Sequence, residues 1–83
     1  MKEFVATFHT HVSALMTCKA LQKAGFAARM APVPRTLSSS CGTCVFYTAP
    51  DLCRDLLDED TERVYEVIGG AYTLVLDNEG NEE

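Results

Sequence analysis

The sequence predicts a small α+β domain in which helices cover one face of an antiparallel sheet. Three observations carry that expectation. Short apolar runs rich in β-branched and aromatic residues recur along the chain, segments with apolar residues at helical spacing lie between them, and a Gly-Gly pair joins the last two runs. The 83 residues, 47% apolar and 23% charged, suit one globular domain with one core. A chain this short buries only about two thirds of its unfolded surface, so its stability is modest. The domain is expected over residues 1–76, followed by an acidic, frayed tail over residues 77–83.

The first strand is "EFVATF", Glu3 to Phe8. In "THVSALMTCKALQKAGF" Leu15, Cys18 and Leu21 recur at helical spacing with Ala14 on the same side, and Lys19, Gln22 and Lys23 face away. Thr10 can cap this helix and Gly25 can end it in a left-handed conformation. "FAARMA", Phe26 to Ala31, is a second strand, and "CVFYTA", Cys44 to Ala49, a third. "APDLCRDLLDED" reads as a second helix, with proline near its first position, an early aspartate, and Leu52, Cys53, Leu56 and Leu57 on its apolar side. "RVYEVI-GG-AYTLVL" is a hairpin whose two glycines can both take positive φ, with Val64, Val67, Leu74 and Leu76 supplying core. The order describes a ferredoxin-like βαββαβ two-layer sandwich with an additional C-terminal β-strand.

The formal net charge of −5, with seven scattered basic residues, argues against a nucleic-acid or anionic-membrane partner. The start reaches polar residues too soon for a signal peptide, and no run approaches membrane-spanning length. The expected location is cytoplasmic, where thiols stay reduced, so four cysteines point to chemistry or burial rather than a disulfide framework.

The candidate chemistry sits in "APVPRTLSSSCGTC", Ala31 to Cys44, a long loop. Two prolines hold its first half extended and present Arg35 in a defined direction. Gly42 permits unusual φ, so the amides of Ser40, Cys41 and Gly42 can form an anion nest, with serine hydroxyls as further donors. These groups, with Arg35, would favour a thiolate at Cys41 and steady a terminal sulfur or selenium anion. Cys44 has two readings: a resolving thiol for an adduct on Cys41, or a small buried apolar residue. Cys18 and Cys53 read as packing thiols, and His9 and His11 as junction residues, either of which could poise a thiolate. A zinc centre is not expected, because only one Cys-x-x-C is present and no second paired motif completes it. The acidic run Asp55 to Asp60 reads as a solvated helix end.

Pro32-Val33-Pro34-Arg35 followed by Ser39-Ser40-Cys41-Gly42, with the strand and helix before them, resembles the Se/S carrier protein-like family of small bacterial and archaeal proteins over roughly Phe4 to Ile68. The resemblance implies delivery of selenium or sulfur as a cysteine-bound persulfide or selenopersulfide, at positions matching Pro34, Arg35, Ser40, Cys41 and Gly42. Family members more often carry a hydrophobic residue near Cys44, so a resolving role there is not inherited, and the Gly-Gly hairpin lies beyond the usual match.

The leading expectation is thus a non-enzymatic carrier that takes the atom from a donor enzyme onto Cys41 and passes it to an acceptor protein. It needs no resident cofactor, only the transient adduct. The alternatives are a thiol–disulfide redox protein using Cys41 and Cys44, and a non-catalytic binding module. Exposed sheet edges leave room for a homodimer.

Overall fold

The computed structural model describes residues 1–79. Five strands, β1 (Lys2–Phe8), β2 (Ala27–Pro32), β3 (Thr43–Ala49), β4 (Thr61–Ile68) and β5 (Ala71–Asp77), are accompanied by one α-helix, α1 (His11–Lys23). All pairings are antiparallel, in the order β2-β3-β1-β4-β5. The first strand is therefore the centre of the sheet, and the extra C-terminal strand extends it beside β4. This α+β sheet is compatible with the ferredoxin-like expectation, but it carries one helix rather than two.

The expected second helix is the main correction. Between β3 and β4 only a single 3₁₀ turn forms, Arg54–Leu56. Aspartate side chains explain why. Asp51 Oδ1 accepts from the Cys53 amide at 2.8 Å, and Asp58 Oδ2 accepts from the Asp60 amide at 3.0 Å. Such local bonds compete with helical ones. Cys53 also sits at φ +56°, in the left-handed region, which breaks a helix at its start. The expected apolar side does face inward: Leu52, Cys53, Leu56 and Leu57 all pack half-buried against the core.

Helix α1 forms where expected. The Thr10 side chain accepts from the Ser13 amide at 3.2 Å, and Gly25 at φ +96° ends the helix while the Phe26 amide returns to Leu21 O. Its buried face is Ser13, Ala14, Thr17, Cys18 and Leu21. Leu15, expected inside, is 38% exposed, and Val12 and Met16 beside it are exposed too. Small residues at 13, 14, 17 and 18 bring the helix close to the sheet and turn Leu15 outward.

The core lies between α1 and the sheet. It joins Phe4, Ala6 and Phe8 of β1, Val45, Tyr47 and Ala49 of β3, and Val64 of β4 to Ala14, Cys18 and Leu21. The helix packs over β1, β2 and β3, so β5 lies beyond its cover. Leu74, expected in the core, is accordingly exposed, while Val67 and Leu76 are half-buried. The hairpin turn is as expected, with Gly69 at φ +57° and Gly70 at φ +82°.

By strand alternation Val5, Thr7 and Cys44 point to the helix-free face, yet all three are fully buried. The loop between β2 and β3 reaches across the sheet, to the β4–β5 turn and to the end of β1. The Val33 amide donates to Gly42 O at 3.1 Å across its base, and a turn brings the Leu37 amide to Pro34 O. Thr36 and Leu37 line a shallow groove with Gly70, Ala71 and Tyr72. Farther on, Ser39 Oγ donates to Phe8 O at 2.9 Å. The loop thus runs the length of the sheet, from the β4–β5 turn back to the end of β1.

Residues 77–79 of the expected tail are among the described residues. Asp77 closes β5 and pairs with Arg63 at 3.1 Å, and the Asn78 amide donates to Glu62 O at 2.9 Å. The rest of the expected tail, residues 80–83, lies outside the described residues. Among the described residues, no helix is long and apolar enough to cross a membrane.

Candidate functional site

Cys41 lies at the end of the loop, half-buried against the core, one residue before Gly42 at φ +75°. Its sulfur is 3.5 Å from Thr43 O and 3.8 Å from Ser39 Oγ. The Ser39 hydroxyl has one hydrogen, and the short bond to Phe8 O takes it. Both neighbours therefore present acceptors to the sulfur, an arrangement that suits a neutral S–H donor. To meet an anion, the Ser39 hydroxyl has to turn from Phe8 O toward the sulfur. The sequence marks Ser39 only as one of the loop's serine hydroxyls, with no role of its own.

Of the donors expected to cradle a sulfur anion, the two of Ser40 face a carboxylate. The Ser40 amide donates to Glu62 Oε1 at 3.3 Å and its hydroxyl to Glu62 Oε2 at 2.6 Å. Glu62 is only 5% exposed. The β1–β4 register shifts where Thr7 pairs with Arg63 and Phe8 with Thr61, leaving Glu62 as the bulged residue between them. Bulges re-aim side chains in this way. Sequence reasoning missed Glu62; its one signal was a charged residue at the start of an alternating strand, "TERVYEVI".

His9, expected as a junction residue, completes the cluster. Its ring is bracketed by two carboxylates, with Nδ1 3.3 Å from Glu62 Oε2 and Nε2 2.9 Å from Glu79 Oε2. Ser40 Oγ is 3.4 Å from Nδ1. The hydrogen bond with Glu79 chiefly raises the His9 pKa above its ordinary value; burial opposes this, and the charges of Glu79, Glu62 and Asp60 add to it. Asp60 is held below the usual carboxylate range, first by its hydrogen bond with Ser13, with help from Thr10 and His9. Ligand atoms of His9, Glu62 and Glu79 all lie within 4.8 Å of one another. With both ring nitrogens facing carboxylate oxygens, the protonated ring donates an N–H to each; a cation would engage only one nitrogen.

The remaining expected site residues are more dispersed. Arg35 is exposed in the Pro34–Leu37 turn, and no side-chain bond joins it to Cys41 among the described residues. His11 reaches Thr43 Oγ1 at 3.3 Å. Cys44 is fully buried in β3, with its sulfur 3.6 Å from Pro32 O, and both it and Cys41 are free thiols. Cys18 is buried and Cys53 half-buried; burial raises both pKa values, helped at Cys53 by Asp51.

Burial also pushes the Cys44 thiol from about 9 up to about 11, with Arg29 opposing and Cys41 adding to the rise. Between those values the unfolded chain releases a proton that the folded one keeps, so stability falls as pH rises from 9 to 11. The loss is on the order of 2 kcal/mol from this group. Urea unfolding across that range should show a shallower alkaline decline in Cys44→Ala than in the parent protein. An unchanged decline would refute the burial effect.

A one-helix α+β sheet bearing a half-open thiol on a Ser-Cys-Gly loop is the class of protein this fold and site define. The chain belongs to the family described as "Putative Se/S carrier protein-like", which it matches over residues 3–71. The match takes in the Gly-Gly turn, farther than the sequence pattern implied, and β5 continues beyond it. A relative in Escherichia coli (strain K12), "Uncharacterized protein YtiA", is 46% identical over 50 residues, 60% of this chain. The chain spans 59% of that relative's length. No solved structure matches.

Proposed function

We propose that the protein is a sulfur or selenium carrier that holds its cargo on Cys41 and delivers it to an acceptor protein. The observation that carries this reading is the contrast among the thiols of a family described by Se/S carriage. Cys41 alone lies on the Ser-Cys-Gly loop; Cys44 and Cys18 are buried in strand and helix, and at Cys53, half-buried before the 3₁₀ turn, burial and Asp51 disfavour the thiolate.

Loading begins with loss of the Cys41 proton to solvent. The thiolate attacks the terminal sulfur of a persulfide on a donor enzyme; that sulfur's bond to the donor breaks, and the donor leaves as a thiolate. Delivery is the reverse: an acceptor nucleophile attacks the terminal atom, and the Cys41 thiolate is the leaving group. Selenium travels the same way as a selenopersulfide. Ser39, by turning its hydroxyl toward the sulfur, supplies a donor to the departing anion, and Gly42 gives the loop room to move. Arg35, exposed on the turn, is available to a terminal anion once a partner docks. A disulfide couple of Cys41 and Cys44 is the weaker reading, because the burial that raises the Cys44 pKa suppresses the thiolate it needs.

Intact-protein mass spectrometry after incubation with a persulfide-bearing cysteine desulfurase tests the proposal. One added sulfur is expected on the parent protein and on Cys44→Ala, and none on Cys41→Ser. An adduct that persists in Cys41→Ser and moves to Cys53, or none at all with either sulfur or selenium donors, would overturn it.

A further inference from the structure

Glu62 is a buried carboxylate that the carrier chemistry does not use, and its contacts run in two directions. Toward the loop, it receives both the amide and the hydroxyl of Ser40, the residue before the cargo thiol. Toward the surface, it faces His9 Nδ1, whose other nitrogen faces Glu79 just beyond β5. One imidazole therefore links the β1–α1 junction, the β4 bulge and the segment after β5, and Glu62 links all three to the loop.

We propose that Glu62 is the positioning residue of the Cys41 loop, and that the proton on His9 tunes the reactivity of Cys41 through it. This deepens the carrier reading and rests on Cys41 being the cargo thiol. The groups facing His9 are Glu62 from β4, Glu79 from beyond β5, Asp60 from the segment before β4, and the Ser40 hydroxyl from the loop. Three are acidic, so the ring holds its proton tightly and offers an N–H to each of two carboxylates. When it loses that proton it keeps one N–H at most, and the cluster beside Ser40 gains one unit of negative charge. Added negative charge disfavours a thiolate nearby. Cys41 is thus more reactive, for a given pH, while His9 stays protonated.

The sign gives a measurable shape. The logarithm of the Cys41 alkylation rate should rise with pH at less than unit slope as His9 deprotonates. His9→Gln should rise at unit slope through the same range. Iodoacetamide labelling of the unloaded, reduced full chain, read at the Cys41 peptide with the half-buried Cys53 as internal reference, measures both. Hydrogen exchange at the Ser40 amide reports loop position separately. Glu62→Ala should speed that exchange several-fold and remove the bend in the pH profile. Glu62→Gln still offers an oxygen to Ser40, so it should restore slow exchange while leaving the bend weakened. Should the buried substitutions unfold the chain, Glu79→Gln at the surface lowers the His9 pKa and should shift the bend to lower pH.

Identical pH profiles for the parent protein and His9→Gln would overturn the proposal. So would unchanged Ser40 exchange in a folded Glu62→Ala. Stoichiometric zinc binding by the parent protein that disappears in Glu79→Gln would also overturn it, by putting a cation in the proton's place. Alkylation needs no donor enzyme, so these results stand apart from success or failure of cargo loading.

Discussion

Leu21→Ala should cost about 2–5 kcal/mol, a large share of the few kcal/mol that hold a domain this small together. Leu21 is fully exposed to no solvent at all, and it is the one large apolar side chain that α1 places in the core. The other buried positions of the helix, Ser13, Ala14, Thr17 and Cys18, are small. They let the helix approach the sheet, but they bury little area each, and the hydrophobic gain scales with area. Removing Leu21 leaves a cavity between helix and sheet that these small neighbours cannot fill. The denaturant midpoint, measured under reducing conditions, should fall sharply with little change in slope. A cost below about 1 kcal/mol would mean that α1 docks differently.

Tyr47→Ala should be as damaging, at about 3–5 kcal/mol. The Tyr47 ring is buried in β3 and stacks on Phe4 of β1 with centroids 5.2 Å apart. Its hydroxyl donates to Leu52 O at 2.7 Å. That bond fastens the segment that replaces the second helix, so Tyr47 serves the sheet and the crossover together. Tyr47→Phe separates the two roles. It keeps the stack and leaves Leu52 O without its donor, at a cost of about 1–3 kcal/mol. Equal losses in the two variants would show that the ring contributes nothing to the core.

The parts of this fold that could be read from sequence are those set by local chemistry. Thr10 and Gly25 bound the helix because capping and left-handed φ depend on neighbours in the chain. Gly69-Gly70 makes its turn for the same reason. The second helix failed on equally local grounds that apolar spacing conceals: Asp51 and Asp58 bind nearby amides, and Cys53 takes a left-handed φ. Leu15 and Leu74 were misplaced because their exposure depends on how α1 lies on the sheet, which no local pattern fixes. At the site, Cys41 and Gly42 stood out through composition. Glu62 did not, because its meaning comes from a bulge and from Ser40 and His9, which are remote in sequence. Ser40 stands in the sequence as one donor of the loop, and the anion that it meets in the fold belongs to the protein itself.

The central place of β1 also shapes how the chain acquires its structure during synthesis. β1 leaves the ribosome before its two neighbours, β3 and β4, which follow only after the helix and the long loop. Such non-local pairing slows folding, because loop closure must precede the contacts that reward it. Until β4 arrives, Glu62 is absent and Ser40 has no anchor. The nascent loop therefore carries Cys41 without its partial packing against the core, which is complete only when the last third of the domain joins the sheet. Before folding is complete there is thus an early window in which oxidants and electrophiles meet the Cys41 thiol without the packing of the finished domain.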